Sequence, residues 1–164
     1  SQATIDTFVE EIVDTGGSAA LVSSPSVYFS LPQPQRQRSK VLDYDRQWQD
    51  DSGYIFYDFN APEDLPPELR NSFDFVLVDP PFITPEVWAK YALTSKFLLR
   101  EGGRLLCTTI AENAPMMRDL LGLEPARFRP SIPNLVYQYN TYTNYASERL
   151  SRLNAEIDDA EWRT

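Results

Sequence analysis

The sequence predicts a three-layer α/β fold, a seven-stranded, mostly parallel sheet covered by helices on both faces and ending in an antiparallel hairpin. Three observations carry this expectation. Apolar runs of strand length alternate with stretches of helical periodicity between residues 5 and 121. The strand runs, such as Ala19-Ala20-Leu21-Val22 and Phe75-Val76-Leu77-Val78, are apolar throughout, as strands buried on both faces are. The pattern then changes to an aromatic, partly alternating ribbon at Tyr137, Tyr139, Tyr142 and Tyr145.

Ile5, Phe8, Val9, Ile12 and Val13 have helical spacing, and Gly16-Gly17 ends that helix. A first strand follows at Ala19-Ala20-Leu21-Val22, with Ser23-Ser24-Pro25-Ser26 as a turn. Residues 31–40, rich in Pro, Gln and Arg, read as an irregular loop. Val41-Leu42-Asp43-Tyr44 and Tyr54-Ile55-Phe56-Tyr57 are the next strands. Three prolines make residues 61–68 irregular, and residues 73–78 form the strongest strand, stopped by Asp79-Pro80-Pro81. A helix over residues 85–99 has Pro in its first turn and is broken by Glu101-Gly102-Gly103. A fifth strand runs over residues 103–109, and a helix over 115–121 is closed by Gly122. Residues 127–129 and 135–145 supply the final hairpin, and a polar helical tail begins at Ala146. The whole chain, residues 1–164, reads as one domain.

Composition narrows the chemistry. Histidine is absent, which removes Ser-His and Cys-His nucleophile pairs and histidine-based zinc sites, and no metal site is expected. The one cysteine, Cys107, lies in an apolar strand and reads as a structural thiol. With 15 basic against 24 acidic residues the net charge is −9, which disfavours nucleic acid and suits a basic protein partner. Arg36, Arg38 and Lys40, like Arg127 and Arg129, read as solvated local clusters. No apolar run approaches the roughly 20 residues that cross a bilayer, so the expected location is the cytoplasm, without a membrane.

In parallel α/β sheets ligands bind beyond the carboxyl ends of the strands. Ser23-Ser24, Asp43 to Asp45, Asp58 and Asp79 all fall at such ends. The central motif is Asp79-Pro80-Pro81-Phe82. A strand delivers the Asp79 carboxylate to the sheet edge, and two prolines fix φ and remove two backbone donors. The carboxylate and a fixed carbonyl then make an acceptor pair for an amine, aiming its lone pair at an electrophilic methyl. Phe82 offers a ring for a flat base or a lysine stem. The glycine fingerprint of dinucleotide loops is missing, since Ser23-Ser24-Pro25-Ser26 stands in its place. Asp45 is placed for ribose hydroxyls, and Asp58 with Phe59 for an adenine amine and ring.

Taken together, Ser24-Pro25-Ser26-Val27-Tyr28, Tyr44-Asp45-Arg46, Phe56-Tyr57-Asp58-Phe59-Asn60, Asp79-Pro80-Pro81-Phe82 and Leu106-Cys107-Thr108 with Asn144-Tyr145 resemble the elongation factor 1A lysine methyltransferase family, grouped with N6-adenine methyltransferase-like proteins. The Asp-Pro-Pro-aromatic run is common to many amino methyltransferases, whereas the glycine-free loop is more specific. The resemblance implies a Rossmann-like methyltransferase fold and S-adenosylmethionine as cofactor. It implies cofactor contacts from Ser23, Ser24, Pro25, Ser26, Asp45 and Asp58, beside the Phe59 ring read above, and it implies that the catalytic run Asp79, Pro80, Pro81 and Phe82 lies at the target amine. The implied partner is translation elongation factor 1A, methylated on a lysine. Two alternatives remain at this point: transfer to adenine N6 of RNA or DNA, and a non-catalytic scaffold with a degenerate cofactor site.

Overall fold

A computed structural model describes residues 1–132 and 137–157. Its elements in order are α1 (Gln2–Thr15), β1 (Ala19–Val22), α2 (Pro25–Ser30), α3 (Gln33–Gln37), β2 (Lys40–Asp43), β3 (Tyr54–Phe56), β4 (Phe73–Val78), α4 (Pro85–Leu98), β5 (Leu99–Ile110), α5 (Ala114–Leu121), β6 (Glu124–Pro125) and β7 (Tyr139–Thr143). The seven strands form one sheet in the order β3-β2-β1-β4-β5-β7-β6. The first five are parallel, and β7 runs antiparallel to both β5 and β6.

Strand alternation divides the interior into two cores. Ala19, Leu21, Val41, Phe75, Leu77 and Leu106 pack with Phe8 and Ile12 of α1 and Val27 and Tyr28 of α2. Ala20, Val22, Leu42, Val76, Val78, Leu105 and Cys107 face the other way, onto Trp88, Tyr91 and Leu98 of α4 and Met117 of α5. The three layers follow directly, because a strand buried on both sides needs helices on both sides.

The glycine pair after α1 has two separate jobs. Gly16 caps the helix in the left-handed conformation at φ 77°, with its N–H on the Ile12 carbonyl. Gly17 lies where an added Cβ would overlap the Asp74 carboxylate, whose Oδ2 accepts from Ser18 N at 2.9 Å. Gly17→Ala is therefore expected to lower stability by about 1–3 kcal/mol, read as a lower urea midpoint at unchanged slope.

Several expectations need correction. The turn after β1 is only Ser23-Ser24, and Pro25 opens α2 from the first helical position. The supposed loop at 31–40 contains α3, whose early prolines sit where a helix has no N–H to lose. Gln35 holds it down by donating to the Gly17 carbonyl at 2.8 Å. Glu101-Gly102-Gly103 does not separate helix from strand. The strand starts at Leu99, and the glycines accompany a register shift opposite Phe73 and Phe75.

Residues 127–129 are not a strand. Phe128 is buried against Phe8, and its N–H reaches the Leu150 carbonyl at 2.9 Å. The hairpin strand β6 lies earlier, at Glu124–Pro125. Of the expected 135–145 strand, 139–143 is present, and 135–136 lie outside the described residues. Among the described residues of the tail, 146–157, the helical part is a 3-10 turn, Arg149–Ser151, and residues 158–164 lie outside the described residues. It is tied to α1 by Arg149, which meets Glu10, Glu11 and Asp14. No helix among the described residues is long and apolar enough to cross a membrane.

Candidate functional site

Parallel pairing brings the carboxyl ends of β1 to β4 to one edge, and two cavities open there. The larger, about 480 Å³, is lined by Asp43, Asp45, Asp58, Phe59, Phe82 and Tyr91, among others. The smaller, about 240 Å³, is lined by Ser24, Pro25, Ser26, Asp79 and Thr108, with the apolar Phe8 and Ile132. Of their described lining residues, Ser23 alone belongs to both.

Ser23 adopts a left-handed backbone at φ 57°, a conformation that glycine takes freely and other residues take at a cost of about 1–2 kcal/mol. Its N–H is fixed on the Leu42 carbonyl at 2.8 Å. The turn geometry that a glycine loop supplies in dinucleotide sites is thus achieved here by a serine. Its Oγ meets the Tyr91 hydroxyl at 2.9 Å.

At the end of β2, Asp43 Oδ1 accepts from Asp45 N at 2.8 Å, while Asp45 Oδ1 accepts from Gln47 N at 2.9 Å. Burial pushes the Asp43 carboxyl above its usual range, with the Asp45 amide working against that shift. Asp58, after β3, accepts from Asn60 N at 2.8 Å. Phe59 lies edge-on to Phe82 at 5.1 Å and stacked on Tyr91 at 5.9 Å. Lys90 donates to Asn60 Oδ1 at 2.7 Å, with its ammonium 5.5 Å from the Phe59 ring.

The register that pairs Val78 with Cys107 puts the next residues, Asp79 and Thr108, side by side. The Thr108 hydroxyl donates to Asp79 Oδ1. Burial raises the Asp79 pKa, and the Thr108 bond partly offsets that. The Asp79 charge and burial together keep the fully buried Cys107 thiol neutral, burial being the larger cause. The turn beyond Asp79 is pinned from below, because Trp88 Nε1 donates to the Phe82 carbonyl at 3.1 Å.

Of the residues expected from sequence, Asp45, Asp58, Phe59, Pro81 and Phe82 meet at the larger cavity, and Ser24, Pro25, Ser26 and Asp79 at the smaller. Pro80 is buried and lines neither. Sequence reasoning gave no site role to Tyr91, nor to Tyr57, Asn60 and Thr108, although the last three stand in the runs that carry the resemblance. Tyr91 sits at an apolar helical position, and Thr108 gains its meaning only from the order of the strands. The Arg36 and Arg38 cluster is spent locally, on Phe29 O and Gln33, and on Gln35.

The model of a family described as probable N6-adenine methyltransferase matches residues 1–147. A mouse protein named EEF1A lysine methyltransferase 1 is 37% identical over 155 residues, covering 90% of this chain and 72% of that protein. A zebrafish protein of the same name is 35% identical over 162 residues, covering 92% and 96%. Among solved structures, a Burkholderia thailandensis 1,6-didemethyltoxoflavin-N1-methyltransferase with bound S-adenosylhomocysteine superposes with a TM-score of 0.57 at 15% identity, over 85% of this chain and 76% of that one. That likeness shows the fold, a seven-stranded methyltransferase sheet.

Proposed function

The chain belongs to the family described as probable N6-adenine methyltransferase, and from that premise we propose that it is an S-adenosylmethionine-dependent protein-lysine N-methyltransferase acting on translation elongation factor 1A. The observation that carries the reading as an amine methyltransferase is Asp79, a carboxylate acceptor held in the wall of the smaller cavity by Thr108. The names of the mouse and zebrafish relatives support the same substrate.

The groups present fit the cofactor. Asp43, Asp45 and Asp58 offer carboxylate acceptors to a ligand carrying ribose hydroxyls and an adenine amine, and Phe59 offers a ring face. Ser23 to Ser26 offer hydroxyls and backbone groups to a methionine end in the smaller cavity. Cavities of this size are ordinary for small-molecule ligands. When bound, the cofactor supplies a methyl on a positively charged sulfur. That methyl would pass to the amine nitrogen, the new N–C bond forming as the S–C bond breaks with its electron pair left on sulfur.

The protein's share is positioning and desolvation. Asp79 holds the lysine ammonium until water takes its proton, after which the lone pair is free. Pro80 and Pro81 fix the carbonyls that aim the amine, and Phe82, 40% exposed at the mouth, packs on the lysine stem. Residues 1–164 act as one domain, and a cytoplasmic location accords with the proposed substrate.

Transfer to adenine N6 is the second reading, favoured by the family's description. The net charge of −9 counts against a polyanion. Incubation with methyl-labelled S-adenosylmethionine and separate pools of protein and RNA distinguishes the two. Label is expected in a protein band of elongation factor size. Label in RNA alone would overturn the lysine assignment.

A further inference from the structure

We propose that the paired hydroxyls of Ser23 and Tyr91 form the seat for the cationic sulfur of S-adenosylmethionine, and that they set the preference for the methyl donor over its neutral product, S-adenosylhomocysteine. The inference rests on the cofactor reading above. Its starting point is that Ser23 is the described residue shared by the two cavities. A ligand with its nucleoside in one and its amino-acid end in the other must cross Ser23. The atom joining those two parts of the cofactor is the sulfur.

The second observation is the backbone. A glycine would adopt φ 57° without cost, yet this position carries a serine held there by its N–H bond to Leu42. Strain maintained at a site is a reason to ask what the side chain contributes. The hydroxyl turns toward α4, to the Tyr91 hydroxyl at 2.9 Å.

Tyr91 is packed among three aromatic rings. Its ring lies 5.6 Å from Tyr57, 5.9 Å from Phe59 and 5.9 Å from Trp88. Tyr91 is 2% exposed, yet it lines the larger cavity beside Ser23.

Two hydroxyls carry two protons and four lone pairs. One proton is used between them, which leaves one proton and three lone pairs. Such an acceptor-rich spot, fixed in place and half shielded from water, favours a positive sulfur and its polarised methyl hydrogens. To a neutral thioether, a weak acceptor, it offers only the bond of its one remaining proton. The same pair could serve only to tie α4 to the turn after β1. In that case both ligands would feel its loss equally.

The test is calorimetric titration of S-adenosylmethionine and S-adenosylhomocysteine into the full chain and into Ser23→Gly and Tyr91→Phe. Glycine keeps the left-handed backbone while deleting the hydroxyl, so this variant isolates the side chain. Each variant is expected to bind S-adenosylmethionine roughly 3- to 5-fold more weakly. S-adenosylhomocysteine binding should change less than about 2-fold. Equal weakening of both ligands, or no change in either, overturns the proposal and leaves the cofactor reading standing. Failure of the unaltered chain to bind either ligand overturns both.

Discussion

Asp79→Asn is expected to lower methyl transfer to a lysine by about 10²–10³-fold, and at the same time to raise the melting temperature at neutral pH. The two effects have one cause. Asp79 is drawn partly out of water at the end of β4, and burial holds its pKa above the ordinary carboxylate value, with Thr108 only partly compensating. Between the unfolded and the raised folded pKa, the folded chain binds more protons than the unfolded one. Stability therefore falls as pH rises through that window, and stays lower above it. Asn carries no such penalty. Its stabilising effect should be present at neutral pH, shrink as pH falls through that window, and be gone below the unfolded carboxylate's pKa. Melting curves between pH 3 and 8 on both proteins read this directly. A variant whose advantage grows on acidification would contradict the sign.

The functional half discriminates between substrates. An ammonium needs a carboxylate to hold it, whereas a neutral exocyclic amine needs only acceptor oxygens, and Asn still offers one. A lysine enzyme should thus lose transfer in Asp79→Asn, while an adenine enzyme should keep much of it and lose it only in Asp79→Ala. Cofactor affinity is expected to remain within about 3-fold in both variants, since the acids assigned to the adenosine part lie in the other cavity and Asp79, which shares the smaller cavity with the methionine end, is assigned to the amine. Full lysine transfer by Asp79→Asn would remove Asp79 from the catalytic centre.

The parts of this molecule legible in its sequence are those in which one local signal decides. The four-residue run Ala19–Val22 and the six-residue run Phe73–Val78 are strands with the boundaries their apolar patterns give. Gly16 and Gly122 end their helices in left-handed caps. The clustering of Ser23, Asp43, Asp58 and Asp79 was legible for the same reason, since parallel strands deliver their ends to one edge.

What failed depends on groups distant in sequence. Residues 31–40 read as an irregular loop by composition, but the Gln35 side chain reaches the Gly17 carbonyl and Ser39 and so steadies a short helix. Glu101-Gly102-Gly103 carries a breaker's composition and is overridden by pairing with β4. The site was half legible for a related reason. Asp79 and Phe82 announce themselves in a motif, whereas Thr108 and Tyr91 are ordinary strand and helix residues until the sheet order sets them beside Asp79 and Ser23.

Trp88 joins those two levels, and its removal should be the most damaging single truncation in the core. The side chain is fully buried in the layer formed by α4 and the sheet, 5.9 Å from Tyr91. Trp88→Ala is expected to cost about 3–5 kcal/mol, because the lost apolar contacts and the residual cavity add. For a domain of this size that is a large part of a total of about 5–15 kcal/mol. It corresponds to a fall in melting temperature of roughly 6–20 °C. The indole has a second duty, separable from the first. Nε1 donates to the Phe82 carbonyl at 3.1 Å and so pins the turn that presents Asp79 and Phe82. Trp88→Phe keeps most of the ring and deletes the donor. That variant should lose about 1–2 kcal/mol of stability, while its KM for the protein acceptor rises and its affinity for S-adenosylmethionine is unchanged. Spectroscopic unfolding of both variants, with acceptor kinetics on Trp88→Phe, measures the two duties independently. An unaltered acceptor KM in Trp88→Phe would mean that Pro80 and Pro81 hold the turn without help, and that Trp88 serves the core alone.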